Sequence, residues 1–253
     1  MNISDEIQNF SRTPIQNLAL MHTANGEDFL SILNDQKIKT SNCKVFHAEK
    51  LVYFFLGRPA YKTSLVPDPS FWQLPAIFIL RRHPELTPKR VFPFDSGGMA
   101  EERYQKVIGK IQLQNFQLSG ELDQISKAIS YYFGDQERYL AARATPYDEI
   151  AHRIGENVSS FSTLALSKLY NHQFNEVIDD RAKLFEFQFD QDIDISNGNL
   201  RAVIICREWI RDAKIKEQLD QIECKVLTYP LFPLQSSNYY SKIYELTMQV
   251  HDE

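Results

Sequence analysis

The sequence has few of the residues that loosen or crosslink a backbone. Its 253 residues include 9 glycines, 11 prolines and three cysteines, and Cys43, Cys206 and Cys224 share no close spacing. This composition excludes disordered, collagen-like and disulfide-framework proteins, and it offers no Cys-x-x-Cys metal site. Large side chains are plentiful instead, with 17 Phe and 12 Tyr available for a packed core.

Basic charge and long apolar runs are also scarce. The formal net charge is −5, which argues against binding duplex DNA by bulk electrostatics but leaves room for a local basic groove. The longest apolar stretches, such as PAIFIL, are far shorter than the roughly 20 residues of a membrane span. The segment MNISDEIQNF lacks the features of a signal peptide. We therefore expect a soluble, cytoplasmic protein with no membrane partner.

The spacing of apolar residues predicts strands towards both ends of the chain and helices between them. Asn25 is expected to cap a helix containing EDFLSILND, three helical stretches follow residue 121, and another helix lies within 207–222. This order favours an α+β domain with a mixed sheet. We predict one domain over 1–253, in which 83–180 is largely an irregular and helical insertion. The predicted strands are 18–23, 51–56, 75–82, 182–189, 200–206 and 225–232.

Three of these segments carry candidate chemical groups. His22 lies at a strand end, where a histidine is more often a packed or capping residue than a functional one. Arg58 directly follows an apolar strand and Gly57, so its guanidinium is expected to project from the sheet edge, where arginines often recognise anions. Glu186 shares a strand face with Leu184, and it either faces solvent or lines a cleft.

Together these segments resemble the ADP-ribosyltransferase fold, and within it the DarT-like DNA ADP-ribosyltransferases. The resemblance rests on MHTANGEDFLSILNDQKI, which contains His22 and Thr23, on VYFFLGRP, and on AKLFEFQF, which contains Glu186. It covers residues 18–61 and 180–206. It implies a mixed or antiparallel split sheet with a central helical insertion, and NAD as co-substrate.

The activity implied by the resemblance is transfer of ADP-ribose from NAD to a nucleic-acid base or a protein side chain, as in a bacterial toxin or phage-conflict effector. Glu186 would stabilise the ribosyl cation and help to deprotonate the acceptor. Arg58 would hold the pyrophosphate or position the reactive ribose. Two alternatives stay open: hydrolysis of NAD in the same pocket, and a non-catalytic nucleotide-binding or interaction module.

The resemblance also implies residues that hold NAD. His22 would hydrogen-bond the adenosine-side ribose, and Thr23 would help to hold the same end. Tyr53 and Phe54 point to opposite faces of their strand, so only one of them can stack on the nicotinamide ring, and we choose Tyr53 for its polar group. Tyr61 is a weaker stacking candidate.

The remaining polar segments give less specific signals. Residues 95–98, Asp-Ser-Gly-Gly, match an anion-binding nest but lack the lysine of a phosphate loop. The histidines show no metal-ligand spacing, so we predict no metal site. The acceptor, whether DNA, RNA or protein, is left undetermined. The best basic cluster for a nucleic acid combines Arg81-Arg82-His83 with Lys89-Arg90, and a solvated loop explains it equally well.

Overall fold

The computed structural model describes residues 2–16, 18–60, 69–82, 86–155, 159–172, 180–196, 198–232 and 237–252. Helices and a mixed sheet both form, which confirms the α+β class. None of the helices in these ranges is long and apolar enough to cross a membrane. The strands are β1 (Leu20–Ala24), β2 (Lys37–Ile38), β3 (Ser41–Asn42), β4 (Lys50–Leu56), β5 (Ala76–Leu80), β6 (Arg90–Phe92), β7 (Glu186–Phe189), β8 (Ile193–Asp194), β9 (Leu200–Cys206) and β10 (Lys225–Tyr229). The α-helices are α1 (Ile3–Ile7), α2 (Gly26–Asp35), α3 (Ser96–Ala100), α4 (Gln105–Ile108), α5 (Leu122–Phe133), α6 (Gln136–Leu140), α7 (Tyr147–Ile154), α8 (Phe161–Asn171), α9 (Ala213–Ile222) and α10 (Ser237–His251).

Contacts group the chain into two units. Residues 1–16, 43–47 and 87–188 form one of them, which we call the helical unit. Residues 17–42, 48–86 and 189–253 form the other, which we call the sheet unit. The single domain over 1–253 stays a prediction, and most of the predicted insertion lies in the helical unit.

The sheet unit is built around two strands that are buried on both faces. All five residues of β5 and six of the seven in β9 are buried, as their apolar sequences AIFIL and LRAVIIC require. β5 pairs antiparallel with both β9 and β1, β10 runs parallel to β9, and β4 lies antiparallel to β1. The sheet is therefore mixed, and β1 lies near its middle.

Helix α2 packs on this sheet, and its start is determined by the local sequence. The side chain of Asn25 accepts a hydrogen bond from the backbone N–H of Asp28 at 2.8 Å, which confirms the predicted N-cap. Phe29 is fully buried, stacks on Trp209 at 4.8 Å between ring centroids, and lies 5.7 Å from Phe78. This aromatic stack joins α2 to β5 and to the 3₁₀ turn before α9.

The helical unit packs its helices around an aromatic core. Phe133 lies 4.9 Å from Tyr170 and 5.1 Å from Tyr139 between ring centroids, and all three side chains are buried. The hydroxyl of Tyr170 donates to the carbonyl of Pro93 at 2.6 Å. Strands β6 and β7 pair antiparallel in this unit, with Phe92 opposite Glu186. The helix α8 thus supports the chain between β6 and α3.

Candidate functional site

Glu186 is the most unusual carboxylate in the helical unit. It is the first residue of β7, and only 1% of its surface is exposed. The neighbouring Leu184, Phe185, Phe187 and Gln188 are also buried. Both faces of β7 are therefore covered, and the expectation that Glu186 faces solvent or lines a cleft is wrong.

Two polar side chains hold the Glu186 carboxylate in place. The hydroxyl of Ser96 donates to Oε1 at 2.7 Å, and the backbone N–H of Ser96 donates to Oε2 at 3.2 Å. The amide Nε2 of Gln188 also donates to Oε1 at 2.7 Å, and to the Ser96 hydroxyl oxygen at 3.0 Å. The burial cost of a carboxylate is offset only when it is hydrogen-bonded in this way.

The turn that carries Ser96 is anchored by Asp95. The Asp95 carboxylate accepts from the backbone N–H of Gly97 at 2.9 Å and pairs with Arg103 and Arg181, each at 2.9 Å. The Asp95 N–H donates to the backbone carbonyl of Arg181 at 3.1 Å. The backbone N–H groups of the predicted nest are therefore occupied by the protein's own side chains, since the Ser96 N–H donates to the Glu186 carboxyl and the Gly97 N–H donates to Asp95.

Burial and charge both change the acidity of Glu186. Removal from water raises the pKa of Glu186 to about 8, and the nearby negative charge of Asp95 acts in the same direction. The hydrogen bonds from Gln188 and Ser96 oppose this rise because they stabilise the ionised form. Glu186 is consequently mostly protonated at neutral pH in the free protein.

Arg90 extends the network from the other side of Gln188. Its Nε donates to Oε1 of Gln188 at 3.0 Å, and its guanidinium lies 3.8 Å from the centroid of the Phe46 ring. Arg90 is therefore a partner of β7 and does not behave as part of a solvated basic loop. Of the other predicted basic residues, Arg81 is exposed and donates to the Gly198 carbonyl at 3.1 Å, and His83 lies outside the described residues.

In the sheet unit, His22 lies where the pairing of β1 with β4 stops. The two strands pair at Leu20 with Leu56 and at Met21 with Phe55, whereas β1 continues along β5 as far as Ala24. Beyond the last pair, Nδ1 of His22 lies 2.9 Å from the carbonyl oxygen of Tyr53. The side chain of His22 thus contacts β4 at a point where backbone pairing between β1 and β4 has ended.

This contact determines the tautomer of His22. A carbonyl oxygen only accepts, so Nδ1 carries the proton and Nε2 presents a lone pair. Desolvation lowers the pKa of His22, with a smaller opposing effect from the Tyr53 hydrogen bond, so the ring is neutral at neutral pH. Within the described ranges, no protein group donates to Nε2.

The turn after β4 buries Arg58. The N–H of Arg58 donates to the Leu56 carbonyl at 2.9 Å around Gly57, whose φ is 72°. This is a γ-turn, and its left-handed backbone suits glycine. The turn folds the chain back, and the Arg58 side chain is only 3% exposed. The expectation that Arg58 projects from the sheet edge is therefore wrong.

The same turn is tied to two other parts of the sheet unit. The hydroxyl of Thr23 donates to the carbonyl of Ala60 at 3.3 Å, and Nε2 of His251 donates to the carbonyl of Gly57 at 2.6 Å. Thr23 therefore supports the turn that contains Arg58, and the last residue of α10 holds the turn from another side.

The aromatic candidates Tyr53 and Phe54 differ in their burial. Tyr53 is half-buried, whereas Phe54 is 1% exposed and its ring lies 5.5 Å from the His22 ring. Phe54 is thus a core residue, and Tyr53 is the more accessible of the pair. Tyr61 lies outside the described residues.

The predicted residues therefore fall into two sets. His22, Thr23, Tyr53 and Arg58 belong to the sheet unit, and Glu186 belongs to the helical unit. Gln188 is not among the predicted site residues, although its spacing of two residues from Glu186 on a strand places both on one face. Ser96 is predicted only as part of a nest, because nothing local links it to a residue 90 positions later.

Comparison with known proteins adds no family assignment. No protein-family model and no curated protein sequence matches the chain. In the part of the chain that the structure describes, no three or more His, Cys, Asp and Glu side chains cluster as metal ligands would.

Proposed function

We propose that this protein is a mono-ADP-ribosyltransferase that uses NAD as the donor. The observation that carries the proposal is the neutral His22, whose Nε2 is left as an acceptor beside the last pair of the β1–β4 ladder. A ribose hydroxyl is a donor of the right kind for this nitrogen. The resemblance of the His22, Arg58 and Glu186 segments to ADP-ribosyltransferases supports the same assignment.

The proposed roles are those that the resemblance implies, and the contacts of several side chains support them. Nε2 of His22 accepts a hydrogen bond from the adenosine-side ribose, and the half-buried Tyr53 stacks on the nicotinamide ring. Arg58 is buried, so it contributes a fixed positive charge towards the pyrophosphate. Thr23 acts indirectly, because its hydroxyl holds the turn that contains Arg58.

The reaction breaks the bond between ribose C1′ and the nicotinamide nitrogen. Nicotinamide leaves as a neutral molecule with the electron pair of that bond, and the ribosyl group carries developing positive charge. An ionised Glu186 stabilises this charge. The acceptor nucleophile then bonds to C1′ and loses its proton to the Glu186 carboxylate.

The proposed acceptor is a nucleic-acid base or a protein side chain in the cytoplasm, and a role as a toxin or phage-conflict effector follows from the DarT-like resemblance. The experiment incubates the protein with NAD labelled in its adenylate part and with separate DNA, RNA and protein pools. Label in one pool identifies the acceptor. Release of free labelled ADP-ribose with no labelled pool indicates hydrolysis instead.

The matched variants are Glu186→Gln and Glu217→Gln. Glu217 lies exposed on α9, so its substitution controls for the loss of one carboxylate. We expect the first variant to lose transfer by at least about a hundredfold and the second to keep it. Full transfer by the Glu186→Gln protein would refute the catalytic role of Glu186.

A second candidate function is a non-catalytic module that binds a nucleotide. The enclosure of Glu186, with both carboxylate oxygens already hydrogen-bonded, favours this alternative. Calorimetric titration with NAD separates the two. Binding that His22→Ala abolishes, without any cleavage of NAD, supports the module. Absence of binding contradicts both candidates.

A further inference from the structure

Gln188 lies at the centre of the Glu186 network and is fully buried. Its amide nitrogen donates to Glu186 at 2.7 Å and to Ser96 at 3.0 Å, and its amide oxygen accepts from Nε of Arg90 at 3.0 Å. These three contacts use both ends of the amide. A buried amide with both ends bonded has a defined orientation.

Arg90 decides which end of the amide points to Glu186. Arg90 can only donate, so the oxygen of Gln188 faces it and the nitrogen faces the carboxylate. The guanidinium is itself held by two features: its residue pairs with Gln188 across β6 and β7, and it packs over the Phe46 ring. If the amide were reversed, its oxygen would face the Glu186 carboxylate and its nitrogen would face a donor.

We propose that Gln188, oriented by Arg90, is a positioning residue that holds the Glu186 carboxyl in place and favours its ionised form. This role deepens the proposed transferase function and rests on it for its catalytic consequence. The positioning itself depends only on the contacts described above. Gln188 acts through Glu186 and does not need to touch the substrate.

Other charged groups near Glu186 act on it differently. Asp95 faces it from the turn before α3, and the charge of Asp95 is in turn paired with Arg103 and Arg181. Arg90 is connected to it through the Gln188 amide. Gln188 is neutral, so a substitution there changes the hydrogen bond to Glu186 without changing any of these charges. This makes Gln188 the informative position.

The test measures the titration of Glu186 directly. Protein labelled with ¹³C at the glutamate carboxyls is titrated by NMR, and the Glu186 signal is the one that Glu186→Gln removes. Loss of a hydrogen bond to an ionised carboxylate destabilises that form, so Gln188→Met should move the midpoint upward by about one pH unit. A midpoint within about 0.3 units of the wild type would overturn the proposal.

Two substitutions of Arg90 test the same proposal independently. Arg90→Met should raise the Glu186 midpoint, because methionine has no donor to orient the Gln188 amide. Arg90→Lys keeps a donor and a positive charge at this position, so it should keep most of the wild-type midpoint. If Gln188→Met does not fold, this pair decides the question, and equal midpoints in Arg90→Met and the wild type would overturn the proposal.

NAD cleavage by the same proteins separates this inference from the proposed function. If the protein is a transferase, Gln188→Met should lower kcat/KM for NAD about tenfold at about pH 7, because its free form is then about tenfold less ionised at Glu186. A shifted titration in a protein that does not cleave NAD supports the positioning role and refutes the transferase. NAD cleavage with an unshifted titration refutes the positioning role alone.

Discussion

The protonation of Glu186 leads to a prediction about stability that does not depend on catalysis. The pKa of Glu186 is raised from 4.5 to about 8 in the folded protein, chiefly by burial. Between these two values the unfolded chain releases the proton and the folded protein keeps it. The stabilising contribution is therefore fully present below the unfolded pKa and is lost as the pH rises towards the folded pKa.

The size of the effect follows from linkage. Each pH unit inside this window lowers the free energy of unfolding by about 1.4 kcal/mol. Glu186 should therefore lower it by about 2.5 kcal/mol between about pH 5.5 and about pH 7.5. Glu186→Gln removes this dependence. The variant also loses the acceptor for the Ser96 N–H, a cost of about 1 kcal/mol that does not change with pH.

The assay compares the two proteins by urea unfolding, followed by far-UV circular dichroism at several pH values. Other titrating groups are present in both proteins, so their effects cancel in the difference. Relative to the wild type, Glu186→Gln should gain about 2.5 kcal/mol across this range, whereas Glu217→Gln should show no trend. A difference for Glu186→Gln that stays constant within about 0.5 kcal/mol would refute the raised pKa.

Three further substitutions test packing and capping in the two units. Gly98→Ala places a Cβ 2.5 Å from the ring of the buried Tyr104, so the free energy of unfolding should fall by about 2 kcal/mol in urea titrations. Phe29→Ala empties the stack on Trp209 and should cost about 3–5 kcal/mol, with a red shift of tryptophan emission. Asp212→Ala removes the cap of α9, which accepts from two backbone N–H groups, and should cost about 1 kcal/mol.

The glycine and cap substitutions each have a matched control. Gly97→Ala lies in the same helix and places its Cβ no closer than 3.0 Å to any atom, that atom being a carboxylate oxygen of Asp95, so it should cost less than Gly98→Ala. Asp220→Ala disrupts only an exposed ion pair on α9 and should cost less than about 0.5 kcal/mol. If either control were as destabilising as its partner, the steric or capping explanation would fail.

Elements whose cause is local were predictable from the sequence. The Asn25 cap, the apolar faces of α2 and the buried runs of β5 and β9 all depend on residues within a few positions of each other. Helix α10 also has a local sequence pattern, although it was not predicted. Its buried residues recur at helical spacing, at Tyr239, Ile243, Leu246 and Val250.

The surroundings of the site could not be predicted in the same way. Alternation along β7 shows that Glu186 and Gln188 share a face, but it does not reveal what covers that face. The cover is the turn at Ser96, which meets β7 across 90 positions of sequence. The burial of Arg58 likewise depends on a γ-turn at Gly57 and on the Thr23 contact to Ala60, neither of which a strand pattern encodes.

A raised pKa also determines how a transferase built on Glu186 must depend on pH. Only the ionised carboxylate stabilises a ribosyl cation, and with a pKa of about 8 roughly a tenth of the free protein is ionised at pH 7. The value of kcat/KM for NAD should therefore rise nearly tenfold per pH unit up to about pH 7.5 and level off above about pH 8.

His22 does not obscure this profile, because desolvation lowers its pKa and it is already neutral over most of that range. In the bound state the positive charge of the nicotinamide ring favours ionisation of a nearby carboxylate, so the profile of kcat should level off at a lower pH than that of kcat/KM. The measurement is the initial rate of nicotinamide release at fixed ionic strength. Active protein with a flat profile from about pH 6 to about pH 9 would mean that Glu186 is not the group whose ionisation drives the reaction.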